Sequence, residues 1–146
     1  MPSTIRLHRV FKTTPERLYK AFINPEAMVK WLPPNGFTGK VDKMDARVGG
    51  SYHMSFTNLT TGSSHSFGGE YLELIPGKRI VHTDRFDAGL PGTMTVTIEM
   101  KKVMVGTEVH ITQEGVPDAI PAEACYLGWQ ESLMQLATLV DPEIPG

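Results

Sequence analysis

Between Thr93 and Met100 the chain alternates without a break, with Met94, Val96, Ile98 and Met100 on one side and Thr93, Thr95, Thr97 and Glu99 on the other. A period of two predicts a strand with one apolar and one wet face. Thr4 to Phe11 has the same two-sided character, Ile5, Leu7 and Phe11 against Arg6, His8 and Val10, and reads as a first strand. The period then changes. Thr13-Thr14-Pro15-Glu16 supplies a hydroxyl cap, a helix-tolerant early proline and a carboxylate near the positive end of a helix dipole, so a short helix is expected to about Phe22. Asn24-Pro25-Glu26 repeats the start signal, and a second short helix carries Met28, Val29 and Trp31 until Pro33-Pro34 ends it.

From Phe37 to Gln113 the pattern is strands and turns. Gly49-Gly50 precedes Ser51 to Phe56, where Tyr52, Met54 and Phe56 share a face. Ile75-Pro76-Gly77-Lys78 has the residue order of a type II turn and joins Glu70–Leu74 to Arg79–Phe86, while Val105-Gly106 closes a hairpin onto Glu108–Gln113. Gly68-Gly69 reads as a bulge, and Glu70 and Glu73 as a solvated face. After Pro121, a helix over Ala122–Val140 places Ala122, Tyr126, Trp129, Leu133, Leu136, Ala137 and Val140 on one stripe at roughly 100° per residue. No periodic element follows Asp141-Pro142, and no repeat or linker interrupts the chain.

A strand, two short helices, about six strands and one long helix form an α+β domain spanning 1–146, with a curved antiparallel sheet of six or seven strands around the C-terminal helix. Only that helix is long enough to cover the apolar face. A curved sheet touching a straight helix leaves space where the two diverge, and apolar pockets form in such places.

Composition sharpens this picture by exclusion. The 146 residues suit one core, and 40% hydrophobic with 21% charged residues is ordinary globular usage. A net charge of -2 with scattered Lys and Arg offers no footprint for nucleic acid. The single cysteine forms no internal disulfide, the N-terminus lacks an apolar signal segment, and no apolar run approaches the ~20 residues of a membrane helix, so a cytoplasmic location is expected.

Several phrases resemble a known family. Arg9-Val10-Phe11 with Pro15-Glu16, Asn24-Pro25-Glu26 leading to Trp31-Leu32-Pro33-Pro34, and Arg47-Val48-Gly49-Gly50-Ser51-Tyr52 are similar to the homologues of the activator of the heat-shock protein 90 ATPase. Gly69-Glu70-Tyr71-Leu72-Glu73-Leu74-Ile75-Pro76, Lys78-Arg79-Ile80 and Gly128-Trp129 with Leu133 extend the likeness over nearly the whole chain. The resemblance implies the START-like, or SRPBCC, superfamily and its helix-grip fold, shared with Bet v-type plant allergens, lipid carriers and polyketide cyclases. A fold that hosts so many activities implies none of them. The protein after which the family is named has an additional N-terminal domain, for which this chain is expected to have no room.

Among candidate chemistry, Ile80, His82, Asp84 and Phe86 share a face, so two polar side chains sit between two apolar ones. In a cavity wall, the carboxylate would hold one imidazole tautomer and leave the other nitrogen free to bind or move a proton. The competing reading turns Val81 inward and gives His82 and Asp84 to solvent. Trp31, Tyr52, Met54, Phe56, Met94, Trp129 and Leu133 supply a soft, aromatic lining, with plain core packing as the alternative for each. The five histidines show no compact zinc spacing, although strands can bring distant ones together, and Cys125 reads as a small hydrophobe. No metal, cofactor or catalytic residue is expected. The readings in order are a binding module for a small hydrophobic or amphipathic molecule, a chaperone-associated interaction module, and a cyclase- or hydrolase-type enzyme. A homodimer through an edge strand or the loop around Asn58 to Ser64 stays open.

Overall fold

A computed structural model describes residues 2–87 and 92–145; Gly146, at the end of the expected aperiodic C-terminus, lies outside them. The elements run β1 (Ser3–Phe11), α1 (Pro15–Ile23), α2 (Pro25–Trp31), β2 (Phe37–Met44), β3 (Ser51–Asn58), β4 (Ser64–Ile75), β5 (Arg79–Phe86), β6 (Met94–Val103), β7 (Gly106–Val116) and α3 (Ala122–Val140). All seven strands form one antiparallel sheet in the order β1-β7-β6-β5-β4-β3-β2. β2 to β7 is a meander, and α1 and α2 carry the chain from β1 to the far edge. This is the helix-grip fold.

The local signals act as their chemistry requires. Thr14 caps α1 by accepting from the Arg17 amide at 3.2 Å, and Asn24 Oδ1 caps α2 by accepting from the amides of Glu26 and Ala27 at 2.9 and 3.2 Å. Gly77 has φ 72° at the third position of the β4–β5 turn, which the Lys78 amide closes onto the Ile75 carbonyl at 2.9 Å.

The sheet departs from expectation at Gly68-Gly69. No bulge lies there: Tyr52 pairs with Gly69 and His53 with Gly68 in regular register. The irregularity falls between Tyr71 and Glu73, where Leu72 is extra and its side chain is exposed. The glycines serve a close approach instead. A Cβ on Gly69 would stand 1.9 Å from the Thr83 carbonyl oxygen, and one on Gly68 would stand 2.4 Å from that of Tyr52. Between Gly68↔Arg85 and Tyr71↔His82 the β4–β5 ladder is interrupted, and the Glu70 amide donates to Thr83 Oγ1 at 2.9 Å. The Thr83 carbonyl is thereby left out of the β4–β5 ladder and meets the Tyr52 hydroxyl at 2.9 Å.

The core gathers the inward residues of β1, β6 and β7, including Leu7, Phe11, Ile98, Val109 and Ile111, against Leu133, Leu136, Ala137 and Val140 of α3. α3 packs on β1, α1 and α2 rather than on the middle strands. Its expected stripe therefore divides. The second half is buried, whereas Tyr126 is 41% exposed and Ala122 is exposed, because the first turns stand off the sheet.

A candidate site in the cavity between sheet and C-terminal helix

Where α3 stands away from β3 to β6 there is an open cavity of about 310 Å3, at the lower end of the roughly 300–1,000 Å3 typical of small-molecule sites. Its base is Trp31 of α2, whose Nε1 donates to the Ala21 carbonyl at 2.9 Å. Its sheet wall is aromatic: Tyr52, Phe56, Phe67, Tyr71 and Phe86. Phe67 meets Phe56 edge-on with centroids 4.8 Å apart, and Tyr52 lies 5.6 Å from Tyr71. Such rings offer rigid contact area at little entropic cost.

The helix wall is built differently. Ala124, Gly128 and Ser132 recur every fourth residue, and all three line the cavity. Residues four apart share a helix face, so α3 presents a ridge of small side chains to the cavity beside Cys125 and Trp129. A Cβ on Gly128 would meet nothing within 4 Å. The period-four run of small residues was readable in the sequence, yet only the standoff of α3 gives it meaning.

Two polar spots interrupt the apolar wall. In the first, the Tyr52 hydroxyl lies 2.9 Å from the Thr83 carbonyl, 3.2 Å from Asp84 Oδ1 and 3.2 Å from His82 Nδ1. His82 Nδ1 is 2.9 Å from the same carbonyl, which accepts and never donates, so this nitrogen carries the imidazole proton. Nε2 is left as the acceptor. The single Tyr52 proton serves one acceptor at a time: it goes to Thr83 O when Asp84 is protonated and donates back, and to Oδ1 when Asp84 is ionised. The interrupted ladder at Gly69 is what frees the Thr83 carbonyl for this role.

Burial dominates the electrostatics here. It pushes the Asp84 carboxyl up to about 7, although bonds from Tyr52 and the Arg85 amide hold it lower than burial alone would. Burial lowers the His82 pKa, opposed by its bond to the Thr83 carbonyl, so the imidazole is held neutral. The Tyr52 hydroxyl is raised well beyond its ordinary range by burial and by the neighbouring Asp84, and Tyr71 is raised by burial to about 12. At neutral pH both tyrosines are proton donors, and Asp84 is divided between its two forms.

In the second spot, Gln113 Oε1 accepts from Trp129 Nε1 at 2.8 Å and from the Cys125 thiol at 3.3 Å, while its Nε2 lies 3.2 Å from Met94 Sδ. Burial pushes the Cys125 thiol up, and Asp84 adds to the rise. Gln113 thus fixes Trp129 at the cavity side of α3. It was not among the residues expected from sequence, because a lone glutamine on β7 carries no pattern.

Of the nine candidates, Trp31, Tyr52, Phe56, His82, Asp84 and Trp129 come together around the cavity. Met54, Met94 and Leu133 do not line it: they are buried in the packed core, at 0%, 4% and 1% exposure. Ile80, His82, Asp84 and Phe86 all face the cavity, so the competing inward placement of Val81 does not occur.

Residues 12–141 match the family described as "Activator of Hsp90 ATPase homolog 1-like protein". Human and mouse proteins named "Activator of 90 kDa heat shock protein ATPase homolog 1" are each 31% identical over 127 residues, which is 86% of this chain and 33% of theirs. The chain thus spans about a third of the length of those relatives. A crystal structure of a protein from Chromobacterium violaceum is 60% identical, with a TM-score of 0.96 over 98% of this chain and 100% of that one. One from Rhodobacter sphaeroides, 23% identical, shares the fold with a TM-score of 0.82 over 94% of this chain and 91% of that one.

Proposed function

We propose, from the premise that this chain belongs to the family of activator of Hsp90 ATPase homolog 1-like proteins, that it binds one small amphipathic molecule, mostly apolar, between its sheet and α3. The observation that carries this reading is Gly128, where an added Cβ would meet nothing within 4 Å, set with Ala124 and Ser132 on the helix side of a cavity whose sheet wall is aromatic. Protein interiors are otherwise packed to crystal-like density, so a void of this size beside side chains that decline to fill it calls for an occupant. The apolar body of the ligand lies on Phe56, Phe67 and Phe86, and one polar group reaches Tyr52, His82 and Asp84. Native mass spectrometry of freshly purified protein tests this. A reproducible adduct that disappears on denaturation is the expected result, and a clean apo mass in protein that also takes up no apolar probe contradicts it.

A second reading, a chaperone-associated interaction module, rests on the names of the human and mouse relatives, of whose length the chain spans a third. Its test is the ATPase rate of the host's heat-shock protein 90 with and without the chain. Acceleration supports the reading, and an unchanged rate at saturating concentration removes it.

A further inference from the structure

Away from the cavity, on the outer face of the sheet, the register brings together two histidines that lie far apart in sequence. His8 of β1 and His110 of β7 are direct cross-strand partners, with ring centroids 4.7 Å apart. Glu108 stands two residues before His110 and so shares its face. Its Oε1 is 2.5 Å from His110 Nε2 and 3.4 Å from His8 Nε2. One ligand atom from each of the three residues can be chosen so that all lie within 4.8 Å of one another.

We propose that His8, Glu108 and His110 form a binding site for a borderline divalent transition metal, zinc first among them. Metal bonds of roughly 2.0–2.2 Å in tetrahedral geometry set donor atoms about 3.4 Å apart. His8 and Glu108 already meet that spacing, and His110 reaches it by a small rotation away from the carboxylate. Two imidazoles with one carboxylate suit zinc, cobalt, nickel or copper; calcium and magnesium prefer all-oxygen sets. The remaining coordination positions go to water. Glu99, the β6 partner of His110, is not the fourth ligand, since its carboxylate is held by Arg79 Nη1 at 2.9 Å. Lys101, opposite Glu108, offsets part of the carboxylate charge. Among the described residues β1 is an edge strand paired only with β7, so a bound ion would tie the edge of the sheet to its neighbour.

The test is a zinc chloride titration of tag-free protein by calorimetry, with the cobalt(II) visible spectrum as a second readout. One equivalent should bind. Since loss of a residue that merely supports a metal ligand typically costs 10–100-fold in affinity, His8→Ala, His110→Ala and Glu108→Gln should each weaken binding at least about tenfold. His53→Ala, the control on another part of the sheet, should leave binding unchanged. Unaltered affinity in the His8→Ala, His110→Ala double variant, or equal loss in the control, overturns the site. Imidazole nitrogen resonances of the unmutated protein keep the test independent of variant folding: those of His8 and His110 should shift with one equivalent of zinc while those of His53 stay, and the reverse pattern overturns the proposal.

Discussion

The hydroxyl of Tyr52 on β3 lies 3.2 Å from Oδ1 of Asp84 on β5, both in a cavity wall that is otherwise mainly apolar. Their separation couples the direction of one hydroxyl proton to the charge of one carboxyl. A ligand that carries a hydrogen-bond donor or a positive charge meets an ionised Asp84, and one that carries an acceptor meets its protonated form. Under the proposed function, the preferred polar end of a ligand should therefore change as pH crosses neutrality.

Asp84 should make stability depend on pH in a defined direction. Its folded pKa is raised by burial to about 7, whereas the unfolded chain titrates near ~3.9. Between those values the native state keeps a proton that the unfolded state has released. Stability contributed at this site therefore falls as pH rises through the window and levels off above it, by on the order of a few kcal/mol. Asp84→Asn removes the ionisation while keeping the shape. Denaturant unfolding should find the variant no more stable than the parent at pH 4 and more stable at pH 8. His82, whose pKa is lowered by burial, contributes an opposite slope at acid pH, but it is common to both proteins and cancels in the difference. A difference that does not vary with pH would be contrary to the assigned environment.

Tyr52→Phe deletes the hydroxyl that supports the charged form of Asp84. The expected cost is about 1–3 kcal/mol, the usual consequence of leaving buried polar atoms short of a partner. Because the Tyr52 bond lowers the Asp84 pKa against burial, its loss should move that titration to higher pH. Infrared spectroscopy of the protonated carboxyl stretch reads this directly, and a titration unmoved or shifted downward would contradict the bond.

Two glycines should respond to the same substitution with opposite signs. At Gly69 an alanine Cβ would stand 1.9 Å from the Thr83 carbonyl oxygen, which is backbone and has nowhere to go. Gly69→Ala should cost about 3 kcal/mol, the upper end for overpacking. At Gly128 the added methyl meets open space, and replacing a helical glycine gains about 1 kcal/mol. Thermal unfolding of the two variants beside the parent decides both.

The sequence carried much of the architecture because alternation and capping are local. The bounds of β5 and α3 follow from Arg79–Phe86 and Ala122–Val140 without adjustment, and Asn24 marks the break between α1 and α2 through its own side chain. What was not legible is relational. Alternation says that Met54 and Met94 point inward, but whether inward means packed core or cavity depends on where α3 touches the sheet, and it touches β1 rather than the middle strands. For the same reason Tyr126, in line with Leu133 on the helix, ends up half in solvent. Gly68-Gly69 signalled a departure from an ordinary strand, but a bulge and a close backbone approach use the same residue. The pairing of His8 with His110 is a matter of register between the first and last strands, which no spacing along the chain encodes.

If the space facing Gly128 holds a ligand, Gly128→Leu should fill it without disturbing the polar groups. The decisive measurement is a saturation titration of N-phenyl-1-naphthylamine fluorescence with the parent and this variant, each checked by thermal unfolding. The parent should show saturable single-site uptake, and the variant at least about a tenfold loss of affinity while unfolding at the same or a higher temperature. Equal uptake by both, or none by the parent, would contradict a ligand site there.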